Sequence, residues 1–225
     1  MGAVLGDAIG DLLPAAIAVA LSPIPIVAVV VVLGAPRART AGPAFASGWI
    51  AGLLAVSAVV VLLVGLGSDP DADDPGVSWL KVAIGILLLA MAAKQWTKRP
   101  RPGVEPETPR WMATIDSASP ARAAVLGAAL SGANPKNVAL TLTAAASIAE
   151  AGLDTADTAI AVAVFTALGS TTVAGAVLFH LVAGDRAARP LAAVKQFMAA
   201  NNAVIMMVVL LLLGAKLLGD GLAQM

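Results

Sequence analysis

Apolar residues run through this chain in long stretches, and the charged residues fall between them. Leu12–Pro36 and Thr40–Ser68 contain no charge. Val77–Trp96 carries Lys81 and Lys94 near its ends, and Ala123–Ala149 carries only Lys136. Thr158–Gly184 holds no Asp, Glu, Lys or Arg and has His180 near its end, and Gln196–Ala215 is again uncharged. A helix needs ~20 residues to cross a bilayer, and every stretch is about that long. No strict alternation of apolar and polar residues competes with this reading, which argues against a β-barrel. The pattern predicts an all-α integral membrane protein with six transmembrane helices.

Composition narrows the class further. Of 225 residues, 59% are hydrophobic and 12% charged, with 14 basic against 14 acidic side chains. Mean hydropathy is +0.90. A soluble domain carries about 25% charged residues, so this chain cannot clothe a water-facing surface. A soluble enzyme and a disordered protein are thereby excluded, and the missing basic excess excludes a nucleic-acid partner. With no Cys and one His, thiolate metal sites, Cys nucleophiles and His clusters are ruled out, and a Ser-His hydrolase is improbable. No Walker-A glycine-rich phosphate loop occurs, and no other cofactor motif is present. The expectation is a non-enzyme without a cofactor or metal.

The loops alternate in sign. Arg37 and Arg39 follow the first stretch, and Ser68-Asp-Pro-Asp-Ala-Asp-Asp-Pro75 follows the second. Lys94, Lys98, Arg99, Arg101, Arg110 and Arg122 flank the third loop; Glu150, Asp154 and Asp157 form the fourth; Arg186, Arg189 and Lys195 mark the fifth. Basic loops stay in the cytoplasm, so loops one, three and five are placed inside and both termini outside a plasma (inner) membrane. Met1–Asp11 holds Asp7 and Asp11 and no basic residue, the wrong polarity for a secretory leader. In the long third loop, Arg110–Asp116 reads either as an interfacial segment anchored by Trp111 or as a plain linker.

That loop divides the chain into a first three-helix unit (1–96), a Pro/Arg-rich cytoplasmic segment (97–120) and a second three-helix unit (121–225). Ala20-Leu-Ser-Pro-Ile-Pro25 in the first stretch parallels Ala129-Leu-Ser-Gly-Ala-Asn-Pro135 in the fourth. Three helices per unit is an odd number, so the second enters the membrane from the opposite side. Two inverted 3+3 repeats with broken helices one and four are the expected architecture; the competing explanation is chance likeness between Ala/Leu/Val-rich segments.

The breaks carry the candidate chemistry. Pro23 and Pro25 donate no backbone hydrogen bond, which deprives the carbonyls of Val19 and Leu21 of helical partners. Pro135 does the same to Ser131, Gly132 weakens the same turn, and Asn134 before Pro135 reads as a helix N-cap. Pro23, Pro25, Gly132 and Pro135 are therefore candidate hinges, or else packing kinks. Lys136 lies 14 residues from both Arg122 and Glu150, about 21 Å along a helix, too far to snorkel. A lysine at the bilayer centre costs at least ~2.5 kcal/mol. No acidic residue lies inside a stretch to offset it, so the midplane reads as positive and suited to an anion. The candidate substrate-binding set is Lys136, Asn134, Asn137, Ser131 and Ser22. Ser170, Thr171 and Thr172 are candidate pathway-lining residues, with close helix packing as the plainer role, which Gly48 and Gly52 also suggest. His180 and Asp11 are candidate proton sites. Lys81 is expected to snorkel outward, and Asn201 and Asn202 to cap the sixth helix.

The Ser22-Pro-Ile-Pro25 break, the Asn134-Pro-Lys-Asn137 break and the 3+3 arrangement resemble the LysE exporter superfamily. Within it, the basic loop ending in Pro109-Arg-Trp-Met-Ala-Thr-Ile-Asp-Ser-Ala-Ser-Pro120 is similar to the actinobacterial peptidoglycolipid/sulfolipid-addressing proteins. The resemblance spans nearly the whole chain and implies a secondary transporter for a cell-envelope lipid or glycolipid. It places Ser22, Pro23, Pro25, Asn134, Pro135 and Lys136 at the central site. The implied partners are membrane lipids and an anionic or lipid-linked substrate, with a homo-oligomer or an envelope-synthesis partner also allowed. Two alternatives stand beside it: an exporter of a small organic anion or amino acid, and a non-transporting scaffold for envelope-lipid synthesis.

Overall fold

The structure is a computed structural model that describes residues 2–67, 75–97 and 119–223. The acidic second loop and the Arg110–Asp116 segment with Trp111 lie outside the described residues. The helices are α1 (Gly2–Ala20), α2 (Pro23–Gly34), α3 (Ala38–Gly67), α4 (Pro75–Thr97), α5 (Pro120–Gly132), α6 (Pro135–Glu150), α7 (Thr155–Gly169), α8 (Thr171–Ala183) and α9 (Ala188–Ala223). Among the described residues there is no strand.

Prolines decide where several of these helices start. α2, α4, α5 and α6 all begin on a proline. The first helical position needs no N–H, and the ring presets φ for the helix. Ser119 and Asp154 cap α5 and α7 by accepting from the N–H groups of Arg122 and Asp157. α8 ends at Gly184, whose φ of +54° suits glycine and whose N–H returns to the His180 carbonyl. One 3-10 turn, Gly184–Ala187, leads directly into α9.

Close packing then sets the arrangement. α4 lies along α9, α3 along α5, and α1 contacts both α6 and α7. A methyl group on Gly85 would come within 3.0 Å of the Gly214 carbonyl, and one on Gly214 within 3.0 Å of the Gly85 carbonyl. Along α3, a methyl on Gly48 would collide with the Ala124 carbonyl, and one on Gly52 with the Ser131 hydroxyl. Gly48 and Gly52 thus mark a close helix contact, as their spacing suggests. Trp49, Phe45, Leu53, Phe165, Leu12 and Leu210 fill the centre. The outside is apolar as well: Val182, Val125, Leu212 and Leu62 are all more than half exposed. A water-soluble surface would not carry so much exposed apolar area, whereas a lipid-facing one does.

Among the described residues, two helical stretches are long and apolar enough to cross a membrane, Ala38–Leu62 and Thr171–Ala223, and the pair Val4–Ala20 with Pro23–Gly34, bent by 50°, makes a third candidate span. The expected first break is this bend. Two expectations are corrected. The Thr158–Gly184 stretch is not one rod but is interrupted at Ser170, between α7 and α8. Asn201 and Asn202 do not cap a helix: α9 starts at Ala188, and Asn201 donates from Nδ2 to the Phe197 carbonyl inside it. Charge and polarity at Arg189, Lys195 and Asn201 mark where an apolar span ends, but they do not stop a helix. At 36 residues, α9 is about 54 Å long, well beyond a ~30 Å hydrocarbon core.

Candidate functional site

The breaks at Ser22 and Asn134 are built alike. Ser22 sits at φ −69°, ψ 111°, and Asn134 at φ −76°, ψ 117°. Each is the extended residue that a following proline demands, and each opens a helix at that proline. Their side chains differ in use. Asn134 caps α6 by accepting from the Lys136 N–H at 3.1 Å. Ser22 makes no cap and turns its hydroxyl to Lys136 instead.

Lys136 is 5% exposed. Its Nζ donates to the Ala18 carbonyl at 3.0 Å and to Ser22 Oγ. The Ser22 hydroxyl in turn faces Asn137 Oδ1 and the Ala18 carbonyl, both at 3.3 Å. Asn137 donates from Nδ2 to the Leu130 carbonyl at 2.9 Å. A third connection reaches α8: the Thr172 hydroxyl donates to the Ala20 carbonyl at 2.6 Å. The three breaks therefore meet in one polar layer, where the ends of α1, α5 and α7 face the starts of α2, α6 and α8.

This explains how the cation is tolerated without a carboxylate. α1 ends at Ala20, so Ala18 lies in its last turn, where the helix dipole places roughly half a negative charge. The prolines create this acceptor indirectly. The Ser22 N–H bonds the Val19 carbonyl at 3.1 Å instead of reaching back four residues. Val19, expected to be left free, thereby gains a partner, and Ala18 becomes the acceptor for Lys136. Likewise the Leu130 carbonyl in the last turn of α5 is capped by a side chain of α6, that of Asn137. The layer is not simply positive as the sequence suggests, because three helix C-termini bring carbonyls to the same level as three N-termini.

The other expected site residues fall elsewhere. Ser131 is fully buried against α3 at Gly52, and its hydroxyl donates to the Ala128 carbonyl at 3.1 Å. Ser170 is buried and its hydroxyl has no partner, while Thr171 is exposed and donates back across the break to the Leu168 carbonyl in the last turn of α7. Gly132 and Pro135 flank the α5–α6 break, and Pro23 and Pro25 are buried in the first turn of α2. His180 lies in the last turn of α8, ten residues from the break at Ser170, about 15 Å away along the axis. Lys81 does not snorkel outward: it is 6% exposed.

Sequence reasoning missed a cleft at the end of the bundle where α1 begins and α9 finishes. It holds about 270 Å³ and is lined by Asp11, Lys81, Thr143, Ser147, Lys216 and Asp220, with Pro14, Ala15, Leu213 and Leu217 as its apolar walls. A second hollow of about 220 Å³ shares Asp11 and Ser147 and continues along α1 and α6 past Asp7 and Ala151. Lys216 bridges the cleft, 2.9 Å from Asp220 and 3.5 Å from Asp11. Asp11, expected as a proton site, is thus an ion-pair partner of α9. The i,i+4 spacing of Lys216 and Asp220 at the end of an apolar helix was the available signal. Asp11, Pro14, Ala15 and Ala18 share one face of α1, and Lys136, Leu140, Thr143 and Ser147 share one face of α6. The cleft runs down the same two faces that meet at the Lys136–Ala18 contact, and fully buried Leu140 separates them.

No curated protein and no solved structure matches this chain. The family model of Sap, sulfolipid-1-addressing protein, matches it over residues 12–223, which takes in the three breaks, Lys136 and the cleft residues other than Asp11, and the chain belongs to that family.

Proposed function

We propose that this protein is a secondary transporter of the plasma membrane that moves an anionic-headed envelope lipid or glycolipid outward by alternating access. The reading rests on one observation: a buried lysine bridges two broken helices, with Nζ 3.0 Å from the Ala18 carbonyl. A transport site in an inverted-repeat carrier lies where discontinuous helices meet near the midplane. Here the six apolar stretches become two inverted units, with α1–α2 and α5–α6 as their broken first members, and both termini face outward. The family's sulfolipid-1-addressing title supports an anionic lipid as cargo.

In this reading the structure is the resting state. Lys136 is held by the C-terminal carbonyl of α1 and the Ser22 hydroxyl, which stand in for the substrate's anionic oxygens. An arriving head group takes over the ammonium, and α1 and α6 are released from each other. The paired prolines let each half-helix swing without breaking a regular helical hydrogen bond. The substrate binds one charge that the resting protein already balances, so the chemistry is exchange of acceptors and involves no bond-making enzyme step.

The test is outward flux of a sulfated glycolipid in reconstituted vesicles. Lys136→Ala and Lys136→Glu should abolish it while the protein still inserts and stays monodisperse. Undiminished flux would reject the central-site role. Loss of function only on substituting the basic loop would favour the scaffold alternative.

A further inference from the structure

We infer that the cleft between α1, α4, α6 and α9 is a second binding site, specific for a sugar that carries an anionic ester or carboxylate group. That the cleft faces outward, as an exit station in line with Lys136, rests on the topology proposed above; that it binds such a group rests on its own chemistry.

Its donors and acceptors are divided in a way that selects a ligand class. The cations are Lys81 on α4 and Lys216 on α9. The acceptors are the carboxylates of Asp11 and Asp220 and the hydroxyls of Thr143 and Ser147. Thr143 Oγ1 donates to the Ala139 carbonyl at 3.0 Å and Ser147 Oγ to the Thr143 carbonyl at 3.3 Å. Both hydroxyl protons are committed to α6, so their lone pairs are what they offer the cleft. A ligand that matches presents several O–H donors and one anion. A hydrocarbon tail satisfies none of these groups, and a simple inorganic anion uses only the cations. Pro14, Leu213 and Leu217 supply an apolar wall suited to the C–H face of a sugar ring. The volume, about 270 Å³, lies just below the ~300–1,000 Å³ of small-ligand pockets and suits a small head group rather than a whole lipid.

Lys216 sets the condition for entry. Its 2.9 Å contact with Asp220 stays within α9, whereas its 3.5 Å contact with Asp11 crosses to α1. The Asp11 side chain is 61% exposed, so an anion displaces it from Lys216 at little cost. The cleft opens beside the Asp11–Lys216 pair, and head-group binding exchanges that cross-helix pair for a ligand contact.

The chain has no cysteine, so Ala223→Cys at the rim accepts a single environment-sensitive fluorophore. The labelled full chain, in phosphatidylcholine nanodiscs, is titrated with glucose 6-sulfate from water, or prepared with sulfated galactosylceramide in the disc. A saturable signal with either probe, absent with glucose and with unsulfated galactosylceramide, supports the site. A response to the soluble probe alone assigns it to solutes taken from water, and a response to the lipid alone assigns it to bilayer head groups. Lys216→Gln should weaken binding by about tenfold. Asp11→Asn should tighten it, because the competing carboxylate is gone, an outcome that misfolding cannot imitate. Lys136→Ala should abolish flux yet leave this binding intact, so the exit site and the transport mechanism fail separately. No response to either probe, an equal response to the unsulfated sugars, or affinity unchanged in both Lys216→Gln and Asp11→Asn would overturn the inference.

Discussion

Ser22 and Asn134 occupy the same extended backbone conformation before a proline, 112 positions apart in sequence, yet only Asn134 caps its own helix. Ser22 leaves the start of α2 uncapped and gives its hydroxyl to the Lys136 ammonium. One break thus stabilises itself locally, and the other is stabilised by a side chain of the opposite half. The bond between the two is the point at which a ligand competes with the fold.

Replacing Lys136 with Met tests this competition from the stability side. A buried charge exchanged for an apolar group of similar size is often neutral or stabilising. The Ser22 hydroxyl still lies 3.3 Å from the Ala18 carbonyl and keeps it bonded. Lys136→Met should therefore raise stability by on the order of 1 kcal/mol in detergent thermal melts, while flux is lost. A large fall in melting temperature would show that the lysine is a structural strut.

Ser22→Ala removes an acceptor from a buried ammonium and should cost about 1–3 kcal/mol. In the Ser22→Ala/Lys136→Met double variant the part of that cost that belongs to the ammonium should disappear, while the loss of the Ser22–Ala18 bond remains, so the two changes should be non-additive by about 1 kcal/mol, as for groups in direct contact. Strictly additive melts would mean that the contact carries no energy.

Buried hydroxyls without partners predict the opposite sign. Thr141 is 1% and Thr166 5% exposed, and neither Oγ1 has a hydrogen-bond partner. Thr141→Val and Thr166→Val keep shape and remove the unsatisfied group, so each should gain roughly 1 kcal/mol. A loss of flux together with a gain in stability would place that hydroxyl on the substrate path.

Close helix contacts should respond to size alone. Gly214→Leu puts a side chain into the Gly85 carbonyl and Leu89 and should cost about 3 kcal/mol or prevent assembly. Gly219→Ala, on the same helix, meets nothing within 4 Å and should be neutral or slightly stabilising. Size-exclusion profiles and melts of the two variants separate a packing defect from a general effect of changing glycine in α9.

Orientation has its own readout in a cysteine-free chain. A thiol introduced as Ala72→Cys should react with an impermeant maleimide from outside the cell, and Arg101→Cys only after permeabilisation. Reversed labelling would invert the topology and turn the cleft toward the cytoplasm.

Much of the architecture was legible because it depends on local chemistry. Proline lacks an N–H and restricts the residue before it, so Ser22-Pro23 and Asn134-Pro135 announced helix breaks wherever the helices packed. The interruption at Ser170 had no such marker, since Gly169-Ser170 is also compatible with a continuous helix. The full length of α9 was hidden for the opposite reason: charged and amide residues signal the edge of a membrane, while the backbone continues as helix into water.

The sequence by itself determined that the chain is apolar, helical and interrupted at two proline-marked points, and that a lysine beside the second interruption has no acidic partner in any apolar stretch. It could not determine what neutralises that lysine. The answer, the carbonyl of Ala18, is a backbone atom 118 residues away, offered only because a proline bend tightens the end of α1 and helix packing brings α6 against it. The cleft above was equally invisible, because Asp11, Lys81 and Lys216 come from three helices that only tertiary packing assembles.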